Sequence, residues 1–223
     1  MTSAIAEIIQ NGLAFDVKNW GSAMEFGDLL ATVESLFATL EDRQIEYLLV
    51  GGIAMLSYVE GRNTQDIDFI ISKRALDDLS ELVILEEDRD FVRGNFGPLQ
   101  VDLLLTQNKL FKLINQRYAI KKTFGDRTIR CVTVEGLIIL KLYALPSLYR
   151  QGNFDRASLY ENDITQLMMN YPTELEPIFK ILQPHLLASD IEAIRETANE
   201  LKLRIQRFQA QQQRLDKLPD IES

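Results

Sequence analysis

Two strand-like runs of this chain carry acidic residues among apolar ones, at residues 66–72 (DIDFIIS) and 100–105 (QVDLLL). Side chains at positions i and i+2 of a strand point to the same side, so Asp66 and Asp68 share one face while the residues between them face a core. Asp102 lies between apolar neighbours in the second run. A buried carboxylate costs free energy unless a partner neutralises its charge. The chain must therefore fold into a sheet that supplies such a partner, and a divalent cation is the obvious candidate.

The three aspartates predict a site for a hard metal ion. Carboxylate oxygens suit Mg²⁺, with Mn²⁺ as the alternative, and leave coordination positions for water and phosphate oxygens. Two such ions about 3.5–4 Å apart can activate an attacking hydroxyl and stabilise a departing pyrophosphate. The one histidine, His185, and the one cysteine, Cys131, cannot build a zinc site of nitrogen and sulfur ligands. Alternating acids also occur at solvent-facing strand ends, so the aspartates alone are a weak signal.

Hydrophobic periodicity and turn residues predict an α+β fold, a mixed sheet flanked by helices and followed by a C-terminal helical bundle. The predicted strands are residues 46–50, 66–72, 100–105 and 129–134. The predicted helices are residues 28–44 with Asp28 as the cap, 53–59, 134–145 with Pro146 marking the end or a kink, 155–170, 174–182, and a long one from the capping box at Ser189 to about Phe208. The predicted organisation is an N-terminal extension at 1–27, an α/β core at 28–133, a helical domain at 134–208 and a polar tail at 209–223.

Charge is unevenly spread along a chain of net charge −9. Residues 77–90 are strongly acidic, whereas residues 109–130 carry seven basic residues against Asp126, interleaved with aromatic residues. The basic segment fits either a solvated helix and loop or a local phosphate-binding patch. The overall negative charge argues against broad, sequence-independent affinity for nucleic acid.

The sequence predicts a cytoplasmic protein with no membrane partner. It lacks the apolar run of about 18 residues that a transmembrane helix needs. The first residues lack the basic start and apolar stretch of a signal peptide. A single cysteine fits a reducing compartment.

The segment LVGGIAMLSYVEGRNTQDIDFII, at residues 49–71, resembles the signature of the DNA polymerase beta-like nucleotidyltransferase superfamily. That signature is a hydrophobic residue, a Gly-Gly or Gly-Ser pair, a spacer, and then Asp-hydrophobic-Asp. Here 13 residues separate Gly52 from Asp66. The VDLLL segment looks like the strand that carries the third carboxylate of those proteins. The resemblance implies a nucleotidyltransferase-like fold in which Asp66, Asp68 and Asp102 are the catalytic and metal-binding residues.

Within that superfamily, GG…GR.T.DIDF resembles most closely the AbiEii and MenA branch, whose members are toxins of abortive-infection and toxin–antitoxin systems. In that branch a helical segment with a Lys, then an Arg and an Asp, follows the core, and Lys141, Arg150, Arg156 and Asp163 look like that segment. The resemblance covers about residues 28–170. The substrate-binding residues that it implies, with the residue-level reasoning beside it, are Gly51, Gly52, Arg62, Thr64, Lys141, Arg150 and Arg156. For Lys141 the alternative is a lysine that snorkels from an apolar helix to solvent.

Three functions remain open on the sequence. The first is a metal-dependent transfer of a nucleoside monophosphate from an NTP to a hydroxyl of tRNA or protein, as a toxin with an antitoxin partner. The second is a non-catalytic module that binds nucleotide or a partner protein on the same fold. The third is a small-molecule enzyme such as an antibiotic nucleotidyltransferase, since the acidic residues 77–90 could attract a cationic drug.

Overall fold

The computed structural model describes residues 26–60, 64, 66–124 and 127–215. The chain divides into two compact units, Met1–Leu137 and Ile138–Ser223. The described strands are β1 (Tyr47–Val50), β2 (Asp66–Ile71), β3 (Leu82–Glu87), β4 (Phe91–Phe96), β5 (Leu99–Leu105), β6 (Ala119–Phe124) and β7 (Arg127–Val132). The described helices are α1 (Phe26–Asp42), α2 (Gly51–Met55), α3 (Lys73–Asp77), α4 (Lys109–Arg117), α5 (Val134–Arg150), α6 (Phe154–Asn170), α7 (Leu175–Leu182), a 3₁₀ turn at Gln183–His185, and α8 (Ala188–Leu215).

The seven strands form one mixed sheet in the order β3-β4-β5-β2-β1-β7-β6. β2 pairs in parallel with β5, and β1 pairs in parallel with β7. The remaining neighbours are antiparallel. This sheet with its helices, followed by the helices of the second unit, confirms the predicted α+β fold class.

One face of the central strands packs against α1. Phe37 of α1, Tyr47 of β1 and Phe69 of β2 bring their ring centroids within 5.2–5.8 Å of one another in tilted and edge-on arrangements. Such aromatic pairs add about 0.5–1.5 kcal/mol each beyond their buried area. Phe69 therefore fixes which face of β2 turns to this core, and residues 66 and 68 point to the opposite face.

The second unit buries one stripe of α8 against α6 and α7. Ile194, Ala198, Leu201 and Ile205 of this helix are buried, as their spacing predicts, whereas Phe208 is exposed. Among the described helices, none combines the length and apolar character that crossing a bilayer requires.

Several predicted element boundaries were wrong. Phe26 already belongs to α1, so this helix does not begin at Asp28, and α8 begins at Ala188, one residue before Ser189. α5 continues past Pro146 to Arg150. α8 reaches Leu215, within the stretch predicted as a polar tail, because its Gln, Arg and Ala residues are good helix formers.

Candidate active site

Asp66, Asp68 and Asp102 come together where β2 and β5 run side by side. The two strands pair in parallel with Asp68 opposite Asp102 and Asp66 opposite Gln100. Each aspartate offers one carboxylate oxygen, and these three oxygens all lie within 4.8 Å of one another. Three hard oxygen donors this close could hold a divalent cation. Oxygen ligands of this kind suit Mg²⁺ or Mn²⁺. Asp102 is buried, whereas Asp66 and Asp68 are half-buried.

Gly51 and Gly52, the first residues of α2, lie directly beside this cluster. β1 ends at Val50, which is the register partner of Asp68, so the next two residues pass the Asp68 side chain. Gly51 has a φ of +65°, and a Cβ there would stand 1.8 Å from Asp68 Oδ2. The Gly52 amide donates to the same oxygen at 3.3 Å. Position 51 therefore requires glycine for two reasons: the backbone is left-handed, and it passes too close to a carboxylate for a side chain to fit.

Thr64 orients Asp66. Its side chain is buried, and Thr64 Oγ1 donates to Asp66, with Oδ1 at 3.0 Å and the main-chain oxygen at 3.2 Å. A Cβ on Gly52 would stand 2.3 Å from the same hydroxyl, so this glycine also makes room for the threonine. Thr64 was predicted to bind substrate, and the contact that it makes here is with a carboxylate of the cluster. Arg62, which was also predicted to bind substrate, lies outside the described residues.

Arg93 is a member of the site that the sequence did not reveal. It lies opposite Asp102 on the neighbouring strand β4. Arg93 Nε donates to Asp102 Oδ1 at 2.8 Å, and its terminal NH2 donates to Oδ2 at 2.7 Å. These hydrogen bonds to Asp102 raise the pKa of Arg93 above its ordinary value. The buried carboxylate thus has a charge partner within the protein.

A hairpin signal could have found this arginine. β4 and β5 are joined at Gly97-Pro98, and Gly97 has a φ of +58°. A two-residue turn at this position pairs residues symmetrically about it, which sets Arg93 opposite Asp102. The prediction treated residues 94–98 only as a cluster of turn formers, so β4 was missed and its arginine with it.

The predicted cationic residues of the second unit all have acidic or aromatic neighbours. Lys141 is buried, with Nζ 2.7 Å from Asp163 Oδ2 and 4.5 Å from the centre of the Tyr160 ring. The alternative of a lysine snorkelling to solvent is wrong, because its side chain is only 5% exposed. Arg150 pairs with Asp190 at 2.8 Å, and Arg156 lies 5.8 Å from the Tyr160 ring centre. Their substrate-binding role stays a prediction.

The basic segment at residues 109–130 is only partly available to a ligand. Lys122 contacts the main-chain oxygen of Ser57 at 3.0 Å and the Tyr58 ring, and burial lowers its pKa. These contacts engage Lys122 within the protein, and its contribution to a phosphate-binding patch stays a prediction. Arg127 and Arg130 likewise contact Glu41 and main-chain oxygens. The exposed basic residues of this segment are Lys109, Lys112, Arg117 and Lys121.

No protein-family model matches the chain, and no curated protein matches it. The chain is similar in structure to an antigenic nucleotidyltransferase-like protein from Paracoccidioides brasiliensis, with 18% identity, a TM-score of 0.45, and coverage of 73% of this chain and 91% of that one. It is also similar to ANT(2'')-Ia in complex with adenylyl-2''-tobramycin, with 14% identity, a TM-score of 0.45, and coverage of 78% and 98%. The solution structure of the antibiotic-resistance factor ANT(2'')-Ia gives 15% identity, a TM-score of 0.43, and coverage of 83% and 98%.

Proposed function

We propose that the chain is a metal-dependent nucleotidyltransferase that moves a nucleoside monophosphate from an NTP to an acceptor hydroxyl. The observation that carries the proposal is the meeting of Asp66, Asp68 and Asp102, with one oxygen of each within 4.8 Å of the others. This cluster lies beside the glycine turn of the sequence signature that prompted the prediction. Mg²⁺ or Mn²⁺ held there would supply the Lewis acid that polarises phosphate oxygens.

The residues of the first unit divide the work of such a site. Asp66 and Asp68, which are half-buried, would face the cation and the triphosphate, and Thr64 holds Asp66 in place. Gly51 keeps a side chain out of the space beside Asp68, and Gly52 keeps one out of the space that Thr64 fills. In the reaction, the acceptor oxygen bonds to the α-phosphorus and its proton passes to solvent, while the bond from the α-phosphorus to the oxygen that bridges it to the β-phosphorus breaks. The products are the nucleotidylated acceptor and pyrophosphate.

The proposed acceptor is a macromolecule, tRNA or a protein hydroxyl, and the proposed role is that of a toxin restrained by an antitoxin. The support is the resemblance of residues 49–71 to toxin nucleotidyltransferases. The exposed Lys109, Lys112, Arg117 and Lys121 add a place for an acidic protein to hold an anionic acceptor. Lys109 follows the C-terminal end of β5, and Asp102 lies three residues, or about 10 Å of strand, before that end. Contacts at that distance suit a large acceptor better than a small one.

A second candidate function is a non-catalytic module that binds nucleotide or a partner protein. Arg93 favours it, because the arginine neutralises Asp102 without any metal. Because this pairing stabilises Asp102 without a cation, the presence of the three aspartates does not by itself require a catalytic metal.

A transfer assay tests these alternatives. The purified chain is incubated with Mg²⁺ and each α-labelled NTP, with total tRNA, a protein extract or an aminoglycoside as acceptor. We expect label on tRNA or protein and none with Asp68→Asn. Label on the aminoglycoside alone would move the proposal to a small-molecule enzyme and assign a role to the acidic residues 77–90. Nucleotide binding without transfer to any acceptor would favour the non-catalytic module.

A further inference from the structure

Arg93 donates hydrogen bonds to both oxygens of Asp102, the most buried carboxylate of the site. Asp102 is 1% exposed, so water contributes little to its solvation. Its Oδ1 accepts from Arg93 Nε at 2.8 Å and from Gln100 Nε2 at 3.4 Å, and its Oδ2 accepts from the terminal NH2 of Arg93 at 2.7 Å. A two-point guanidinium–carboxylate contact of this kind is among the strongest side-chain hydrogen-bond arrangements.

The same arginine has a second acidic neighbour on the outer side. Glu86 of the edge strand β3 is the register partner of Arg93, and Arg93 NH1 lies 3.9 Å from Glu86 Oε2. The Glu86 side chain is 68% exposed, whereas the Arg93 side chain is 24% exposed. The guanidinium therefore stands between an inner, buried carboxylate and an outer, solvated one.

A cation bound to the three aspartates would meet Arg93 in two ways. The guanidinium reduces the negative charge of the cluster in magnitude, from −3 to −2, and its own positive charge repels a cation at short distance. Its N–H groups also engage both oxygens of Asp102, the atoms that a metal ion would use. Both effects weaken the binding of metal to the protein alone.

We propose that Arg93 is the metal-free counter-ion of Asp102 and makes metal binding at this site depend on bound nucleotide. This inference rests on the proposed function. The anionic triphosphate offsets the guanidinium charge, so the metal enters with the nucleotide. When Asp102 engages the metal, the guanidinium moves toward Glu86 and keeps an acidic partner.

The test is a titration of the full chain with Mn²⁺, followed by electron paramagnetic resonance, without and with a non-hydrolysable NTP analogue. The variants are Arg93→Gln and the matched control Arg89→Gln. Arg89 is 85% exposed and lies 3.7 Å from Asp90 in the turn before β4, so the control removes one positive charge that is paired with Asp90 rather than with Asp102. Without nucleotide, Arg93→Gln should bind Mn²⁺ about tenfold more tightly than wild type, and Arg89→Gln should stay within about twofold. The analogue should tighten Mn²⁺ binding more in wild type than in Arg93→Gln.

Thermal unfolding separates this role from a merely structural one. In EDTA, Arg93→Gln leaves Asp102 buried without its partner, so its Tm should fall, and saturating Mn²⁺ should restore it. The double variant Arg93→Gln/Asp102→Asn carries no buried charge at this pair, so its Tm in EDTA should recover without any response to Mn²⁺. Arg93→Lys, which keeps the charge but loses the two-point contact, should bind Mn²⁺ with intermediate affinity and serves if Arg93→Gln does not fold.

Two results would overturn the inference, and only the second would also overturn the proposed function. Mn²⁺ affinity in Arg93→Gln equal to or weaker than that of wild type, with metal binding intact, removes the role of Arg93 alone. An absence of Mn²⁺ binding by wild type, both with and without the analogue, removes the proposed function as well.

Discussion

At the scale of single residues, Gly51 joins the end of a strand to the carboxylate cluster. Its left-handed backbone, with φ of +65°, lets the chain turn within reach of Asp68. A side chain there faces two separate penalties, the backbone conformation and the collision with Asp68 Oδ2 at 1.8 Å. These penalties can be measured separately, because Gly97 has a similar φ without the collision.

Gly51→Ala should lower the free energy of unfolding by about 2–3 kcal/mol, and Gly97→Ala by about 1 kcal/mol. The φ of Gly97 is +58°, and a Cβ there would meet Thr32 Cγ2 at an ordinary 3.7 Å. Chemical denaturation of both variants gives the comparison. Equal losses would mean that the close approach to Asp68 carries no cost and that the Asp68 side chain moves aside freely.

Cys131 gives the protein a pH dependence at alkaline pH. Burial raises the pKa of its thiol from 9.0 to about 11, so the unfolded chain loses this proton at lower pH than the folded one. The contribution of Cys131 is therefore fully present below pH 9 and is lost as the pH rises toward 11. The expected loss by pH 11 is about 2 kcal/mol in the free energy of unfolding.

The variant Cys131→Ala checks this assignment. It should be less stable at neutral pH, because it leaves a small cavity, but its stability should fall less steeply between pH 9 and 11. Burial also raises the pKa of Tyr47 and of Tyr149 from 10.0 to about 12, so both tyrosines lose part of their contribution above pH 10, and that part of the decline should remain in the variant. An unchanged slope in the variant would assign the alkaline loss to other groups.

At the scale of elements, the strands that carry the site could be predicted and the strands around them could not. Acidic residues within apolar runs predict β2 and β5, and the apolar run before Gly51 predicts β1. β3 gives no such signal, because Val83, Ile84 and Leu85 of this edge strand are all exposed, and no alternation of apolar and polar residues marks a buried face. β4 was missed because residues 94–98 were treated only as turn formers and not as part of a hairpin with β5, and Arg93 was missed with it.

α4 depends on a capping residue that the prediction also passed over. Asn108 Oδ1 accepts from the amides of Leu110 and Phe111 at 2.9 and 3.4 Å, and its Nδ2 donates to Asp90 Oδ2 at 3.2 Å. These contacts begin the helix and tie it to the turn before β4.

Asn108→Ala should lower the free energy of unfolding by about 1 kcal/mol or somewhat more, since it removes both the cap and the contact with Asp90. Asn108→Ser should retain most of the stability, because its hydroxyl can accept from the same amides. Urea denaturation monitored by circular dichroism measures both variants. Equal stability of the alanine variant and wild type would show that packing alone begins this helix.

At the scale of the whole molecule, the position of each charged side chain says more about its role than the net charge of the chain does. The chain carries a net charge of −9, yet four of its exposed basic residues lie close in sequence on α4 and β6, and the three clustered aspartates lie on β2 and β5. Composition argues against a zinc site of nitrogen and sulfur ligands and against broad affinity for nucleic acid, but it could not show that Lys122, Arg127 and Arg130 have partners within the protein. These partners are set by which strands pair and in what register, and composition carries no information about strand pairing.

The most direct test of the central claim is to follow which phosphorus of the NTP reaches the acceptor. Parallel reactions use NTP labelled at the α- or the γ-phosphate, with wild type, Asp68→Asn, Asp102→Asn and the control Asp77→Asn, which changes an exposed acid of α3. We predict that wild type and the control place only the α-label on the acceptor, that the γ-label leaves as pyrophosphate, and that both site variants lose transfer. Transfer of the γ-label, or full α-transfer by Asp68→Asn and Asp102→Asn, would contradict the account.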